Sequence, residues 1–198
     1  MRPYRALLLM IVLVVAGCSV KPQTIVIDPN PEMMAWGGGN RQSVAVSGAD
    51  LRGTTRLGYL KNETKDRAPV NTANDVAAAI ADKVREAAAD NGFTLAQSGA
   101  YTDASLKVEI LKIAYSSGGQ YVAPKVNVEV ELKAVAERGG TTYAPTYTIA
   151  NEVVEALPLN NARNERIINE AVSKTLQMII EDEGLWRFLA TGVVPQGK

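Results

Sequence analysis

The chain has 198 residues, 21 basic and 21 acidic, with 46% hydrophobic and 6% aromatic residues, a single cysteine and no histidine. That length suits one domain of ordinary size with a sizeable core. Balanced charge without a basic cluster or arginine-rich run excludes a nucleic-acid partner. The lack of histidine excludes Ser-His-Asp and Cys-His nucleophile systems and removes the commonest metal ligand.

Arg2 and Arg5 precede an unbroken apolar run from Ala6 to Val15, and Ala16-Gly17-Cys18 follows. A positive start, a short apolar stretch and small residues make a secretory signal peptide. The run is too short to cross a ~30 Å hydrocarbon core, which takes roughly 20 helical residues. The segment Val15-Ala16-Gly17-Cys18 resembles the lipobox of bacterial lipoproteins. That resemblance implies cleavage before Cys18, a diacylglyceryl thioether on its sulfur and acylation of its new amino group. The alternative, a soluble signal followed by a chance cysteine, leaves one thiol of a secreted chain unaccounted for. Ser19 follows the cysteine where Asp would favour inner-membrane retention, so the resemblance points to the periplasmic face of an outer membrane. Loss of residues 1–17 leaves 19 basic residues against 21 acidic. No later stretch has 18 consecutive apolar residues, so the lipid is the expected membrane attachment.

Residues 19–42, with Pro22, Pro29, Pro31 and Gly37-Gly38-Gly39, read as a tether following the lipidated Cys18. Thr24–Asp28 has the length of a short strand inside it. As flexible coil the segment would reach on the order of 25–30 Å. The apolar cluster Met33, Met34 and Trp36 is expected to pack on the domain more than on the membrane. The expected division is therefore signal peptide 1–17, lipidated cysteine and tether 18–42, and a single domain 43–198.

Ser43–Ser47 is a strand-length run ending in the turn Gly48-Ala49-Asp50. Residues 48–71 lack a sustained period and read as a long connection with an edge segment at Arg56–Leu60. Thr72 with Asp75 three residues on is a weak capping box, and Val76, Ile80, Val84 and Ala87 share one helical face behind it. Asn91-Gly92 ends that helix, expected over 73–90. Ala104–Tyr115 alternates through Leu106, Val108 and Ile110, then slips phase at Leu111 and Ile113, as a bulge produces. Lys125–Glu137 is the cleanest strand, apolar from Val126 to Ala136 on one face and charged on the other. Thr141–Val154 is a third strand, placed at a sheet edge or bulge by Pro145. A second helix, capped by Asn160 or Asn161, runs to about Glu183 with Gly184 as its stop and Glu170–Lys174 as an i,i+4 pair. Leu185–Leu189 reads as an amphipathic turn folded onto the body. Strict alternation means one dry and one wet sheet face. The expected fold is thus α+β, an antiparallel-rich sheet with two main helices on one face in β-α-β-β-β-α order.

No cofactor motif stands out. Gly37-Gly38-Gly39 has neither the Lys-Ser/Thr nor the helix start of a phosphate loop. Glu129 and Glu131, roughly 6.6 Å apart on one strand face, approach the spacing of a glycosidase acid pair. They read instead as a solvated face, since nothing apolar there would desolvate one of them. Glu181-Asp182-Glu183 reads as a solvated helix tip, and the tyrosines of the last strand as sheet-packing residues.

The stretch Val44-Ala45-Val46-Ser47-Gly48-Ala49-Asp50-Leu51-Arg52, the helix ending Asn91-Gly92-Phe93 and the tyrosine-containing meander before a last helix resemble the YajG-type family of bacterial outer-membrane lipoproteins. The resemblance implies a lipid-anchored protein with no catalytic motif to carry over. Asp50 and Arg52 lie in its most recognisable part. They read as a strand-ending turn with a local ion pair or as part of a partner-binding loop. The expected function is a non-enzymatic binding module of the cell envelope, or an accessory subunit of an envelope transport or assembly machine. Its expected partners are the membrane, through the lipid, and an envelope protein or peptidoglycan. The edge near Pro145 and the loops 48–71 and 116–124 are the expected contact surfaces.

Overall fold

A computed structural model describes residues 20–61, 66–96, 101–120 and 123–195. Its strands are β1 (Gln23–Ile25), β2 (Ser43–Asp50), β3 (Arg56–Lys61), β4 (Arg67–Thr72), β5 (Thr94–Leu95), β6 (Ala104–Gln120), β7 (Ala123–Arg138), β8 (Thr141–Tyr143) and β9 (Thr146–Val154). Its helices are α1 (Val76–Asp90), α2 (Asn161–Ile180) and α3 (Glu183–Thr191). The fold is α+β, as the alternation requires, and the sheet is mixed. β6–β7, β7–β8, β7–β9 and β3–β4 run antiparallel. β1–β4, β2–β5, β2–β6 and β3–β6 run parallel.

The long strand β6 organises the sheet. Along one side it pairs β7 throughout; along the other it pairs β2 from Ala104 to Ile110 and β3 at Tyr115–Ser116. Its register shifts between Ile110 and Lys112, the bulge expected from the slip at Leu111. Val126, Val128, Val130, Leu132, Ala134 and Ala136 of β7 are all buried beneath the helices. The 48–71 connection is a β3–β4 hairpin, whose strands are too short to show a period in the sequence.

Helix boundaries follow the caps. Asp75, not Thr72, caps α1 and accepts from Ala78 N–H at 3.0 Å. Thr72 is instead the end of β4, its hydroxyl donating to Thr55 O at 3.3 Å. Asn160 caps α2, and α2 stops at Ile180, short of Glu183. Asp182 then caps α3, accepting from Leu185 N–H at 3.0 Å, so Gly184 lies inside the new helix and does not end the old one. Glu170 pairs with Arg166 at 2.7 Å, not with Lys174. The expected amphipathic turn is the nine-residue α3. Leu185, Trp186, Phe188 and Leu189 are fully buried there, and Trp186 Nε1 donates to Ile180 O at 2.8 Å. Gly48 lets α1 sit against the sheet: a Cβ there would lie 2.3 Å from Ala77 O.

Candidate functional site

Cys18 lies outside the described residues. What the structure shows is how the chain leading from it joins the domain. Residues 23–31 alternate in burial, with Ile25, Ile27, Pro29 and Pro31 inward; Ile25 and Ile27 are 0% and 1% exposed. The segment read as a tether is therefore laid on the body as a strap from Gln23 onward. Two isoleucines in an otherwise polar, proline-rich stretch bury enough apolar surface to hold it there.

Polar side chains clasp its backbone. Val26, Asp28 and Asn30 N–H donate to Glu165 Oε2, Asn169 Oδ1 and Ser173 Oγ at 2.9, 2.8 and 2.9 Å. These three residues recur every four positions along α2, about 6 Å of helix rise, against about 6.6 Å for two residues of extended chain. The helix column and the strap are thus nearly commensurate. Asn169 Nδ2 also donates to Val26 O at 2.8 Å. From the other side Asn74 takes Ile27 N–H on Oδ1 at 2.9 Å and donates to Ile27 O at 2.8 Å. Pro29 and Pro31 continue the register of Ile27 and carry no N–H in need of a partner. Deeper in, Asn164 accepts from Tyr115 O–H at 3.0 Å and donates to Gln23 Oε1 at 2.7 Å, joining β1, α2 and β6. Burial pushes the Tyr115 hydroxyl up to about 12.

The glycine run serves the same strap. A Cβ on Gly39 would lie 2.6 Å from the Gly92 carbonyl carbon, and Gly39 N–H donates to Asn91 O at 2.8 Å. Trp36 packs on the core while Met33 and Met34 are 37% and 54% exposed, so the expected packing of that cluster belongs to Trp36. None of Asn74, Glu165, Asn169 and Ser173 stood out in the sequence. The one available signal was three hydrogen-bonding residues spaced by four on one helix flank.

Asp50 and Arg52 form the expected local pair at the end of β2. Arg52 Nε and Nη2 donate to Asp50 Oδ1 and Oδ2 at 2.8 and 2.5 Å, and Arg52 N–H donates to Oδ1 at 3.1 Å. The Arg52 side chain is only 5% exposed and its Nη1 has no hydrogen-bond partner. Its hydrogen bonds hold the Asp50 carboxyl below the usual carboxylate range. Leu51, between them, is 57% exposed.

On the open sheet face Glu129 pairs with Lys112 of β6 at 2.7 Å and Lys125 with Glu152 of β9 at 3.0 Å. A shallow hollow of about 410 Å³ lies here, bordered by Ala114, Ser116, Glu129 and Ala150. At the helix tip Asp182 caps α3 and accepts from Tyr147 O–H at 2.6 Å. Burial and that carboxylate push the tyrosine hydroxyl strongly up. Tyr143 packs on Phe188, ring centroids 5.7 Å apart. Among the described residues no three His, Cys, Asp or Glu side chains are grouped to hold a metal.

The outer edge of β9 is open. Ala134 N–H donates to Pro145 O and Glu155 N–H to Pro124 O, both at 3.0 Å, bracketing the β7–β9 ladder. Antiparallel pairs alternate between bonded and non-bonded, so Tyr147, Ile149, Asn151 and Val153 bond inward to β7. Thr146, Thr148, Ala150, Glu152 and Val154 turn their N–H and C=O outward, where no hydrogen bond among the described residues uses them. Of the devices that blunt such a strand, the edge carries one charge, Glu152, which is paired with Lys125, and neither a lysine nor an internal proline.

A mixed sheet with helices on one face and a strapped N-terminal lead defines a small α+β domain. Its architecture is shared with a crystal structure of a Xanthomonas campestris protein: TM-score 0.56, 13% identity, 84% of this chain and 96% of that one. A second crystal structure, of an uncharacterized protein, matches with TM-score 0.50 and 10% identity over 81% of this chain and 98% of its own. Similarity at this identity establishes the fold alone. The chain belongs to the family described as uncharacterized lipoprotein, Lipoprotein_16, which matches residues 29–190. It is the YajG-type family that the stretch Val44–Arg52 resembles. No curated protein matches the chain. No helix among the described residues is long and apolar enough to cross a membrane.

Proposed function

We propose that this protein is anchored by lipid on Cys18 at the periplasmic face of an outer membrane and binds another envelope protein without catalysing a reaction. The observation carrying the binding role is the open β9 edge. Five consecutive outward N–H and C=O pairs form a ready ladder for an added strand, with side-chain selectivity from the alternating residues. A polypeptide supplies the matching backbone and a glycan does not, which favours an envelope protein over peptidoglycan. An accessory subunit of an envelope transport or assembly machine would use the same edge. Ala150→Pro tests it: the change removes an outward N–H that the β7 ladder does not use, and edge strands tolerate proline. Photocrosslinking from Thr148 in intact cells should capture a protein partner, and Ala150→Pro should abolish capture while leaving the unfolding midpoint nearly unchanged. Undiminished capture would count against the edge.

A second surface is the β2 turn, where the Asp50–Arg52 pair holds the turn and Leu51 projects outward, 57% exposed. Leu51→Asp should then weaken capture where Ala150→Pro does not. Fatty-acid labelling that vanishes in Cys18→Ala supports the anchor, and label that persists refutes it. Turnover of muropeptides by the purified protein would overturn the non-enzymatic reading.

A further inference from the structure

Register carries one level across the sheet. Lys61 pairs with Arg67, Gly118 with Lys125, and Lys125 with Val154. Lys61 N–H donates to Ser117 Oγ at 3.0 Å, tying the two halves at that height. Gln23 pairs with Val70, three residues short of Arg67. Val20 stands three residues before Gln23 and packs on the core, so the strap has climbed back to the same level. Cys18 is two residues further, and two residues span at most about 7 Å. The headgroup layer of a bilayer leaflet is itself roughly 5–7 Å deep. A domain held this closely has one pole against the lipid.

We propose that this pole, presenting Lys21, Lys61, Arg67, Val154 and Leu157, rests on the anionic phospholipid surface into which the lipid on Cys18 inserts. The inference rests on the lipidation stated above. Val154 and Leu157 are 58% and 56% exposed and close together in sequence, so two apolar side chains stand at headgroup depth. Lys21, Lys61 and Arg67 are exposed at the same level toward the opposite edge of the sheet, where they meet the phosphates. The Arg67 guanidinium lies 5.0 Å from the Tyr59 ring centroid. Two acids at this level are held by cations: Glu152 by Lys125 at 3.0 Å, and Glu155 by Arg163 and Arg166 at 3.1 and 2.8 Å. Asp66 is the other acid here among the described residues. At the far pole, around the Gly139-Gly140 turn, Asp103 and Glu137 are exposed. The tether length expected from composition would let the domain tumble free; the strap removes that freedom. It also sets β9 upright, running from Thr146, level with Lys133 of β7, down to the membrane at Val154, so its open edge faces the space above the leaflet.

The test uses the full lipidated protein in vesicles of phosphatidylethanolamine and phosphatidylglycerol. Lipid occupies the native cysteine, so an introduced one takes a spin label alone. A label at Leu157→Cys should be shielded from a water-soluble relaxant several-fold more than one at Thr142→Cys on the far pole. Lys21→Glu, Lys61→Glu and Arg67→Glu together should raise the Leu157 label's exposure toward that of Thr142, with fatty-acid labelling unchanged. Equal exposure of the two labels on protein that carries fatty acid overturns the docked pole and leaves the anchor standing. Protein that carries no fatty acid and does not float with the vesicles overturns both.

Discussion

Replacing Ile25 by alanine separates a strap from a tether. Ile25 is fully buried between the sheet and α2, and the change removes three carbons from that site. At about 0.8 kcal/mol per buried methylene the transfer loss is about 2.4 kcal/mol. The unfilled cavity brings the total to about 3–4 kcal/mol, inside the range of roughly 2–5 for buried Ile→Ala changes. For a domain of this size that lowers the thermal midpoint by about 10 °C. Urea unfolding of the mature chain carrying Cys18→Ser, which keeps it in solution, measures the loss directly. Val26→Ala is the internal control: its side chain is 45% exposed, and its effect should stay within about 0.5 kcal/mol. If Ile25→Ala matches this control, residues 23–31 are not part of the cooperative fold, and the clasp by Asn74, Glu165, Asn169 and Ser173 holds nothing.

Asp50→Ala should destabilise by about 2–3 kcal/mol, because it strands an Arg52 guanidinium that is 5% exposed. That is below the roughly 3–5 of a fully buried pair, since Asp50 is 29% exposed; adding Arg52→Met should recover most of the loss in the same unfolding assay. The Asp50 carboxyl is held below its unfolded value, so its contribution is whole above about pH 4 and fades as pH falls through the folded value; Asp50→Asn should flatten the acid limb of a stability titration. Tyr115 works in the opposite sense. Its hydroxyl rises to about 12, so the folded state holds the proton longer than the unfolded one, and stability falls as pH climbs from about 10 to about 12. Tyr115→Phe should make that alkaline limb shallower, with phenolate absorbance rising earlier in the unfolded protein than in the folded. Glu129→Gln with Glu131→Gln should move stability by less than about 1 kcal/mol, given the exposure of the Lys112–Glu129 pair, and should leave partner capture intact.

Much of the fold is written in residue periodicity. The alternation from Val126 to Ala136 made β7 a two-faced strand, and the slip at Leu111 located the β6 bulge. Val76, Ile80 and Val84 placed one helix, and Asn91-Gly92 its end. Pro145 put the break between β8 and β9 at an edge, because a missing N–H cannot serve a central ladder. Likewise Val15-Ala16-Gly17-Cys18 carries the expected lipid attachment, since the processing machinery reads that segment before any folding. What local pattern could not settle was every feature made by distant partners. The strap looks like linker by composition, yet two isoleucines find a slot that α2 and the sheet create far along the chain. Asn74, Glu165, Asn169 and Ser173 are ordinary polar residues until an extended backbone lies across them at matching rise. Thr72 was the expected cap, yet its hydroxyl donates to Thr55 O and Asp75 caps the helix instead. The open edge of β9 likewise exists only because β7 takes its odd-numbered groups and no described strand pairs with its other side. Sequence alone determined the long strands, the two main helices, the dry face and the expected anchor. Tertiary structure decided the length of the tether, the pole beside it and the free edge, because each depends on contacts between residues the chain brings together only when folded.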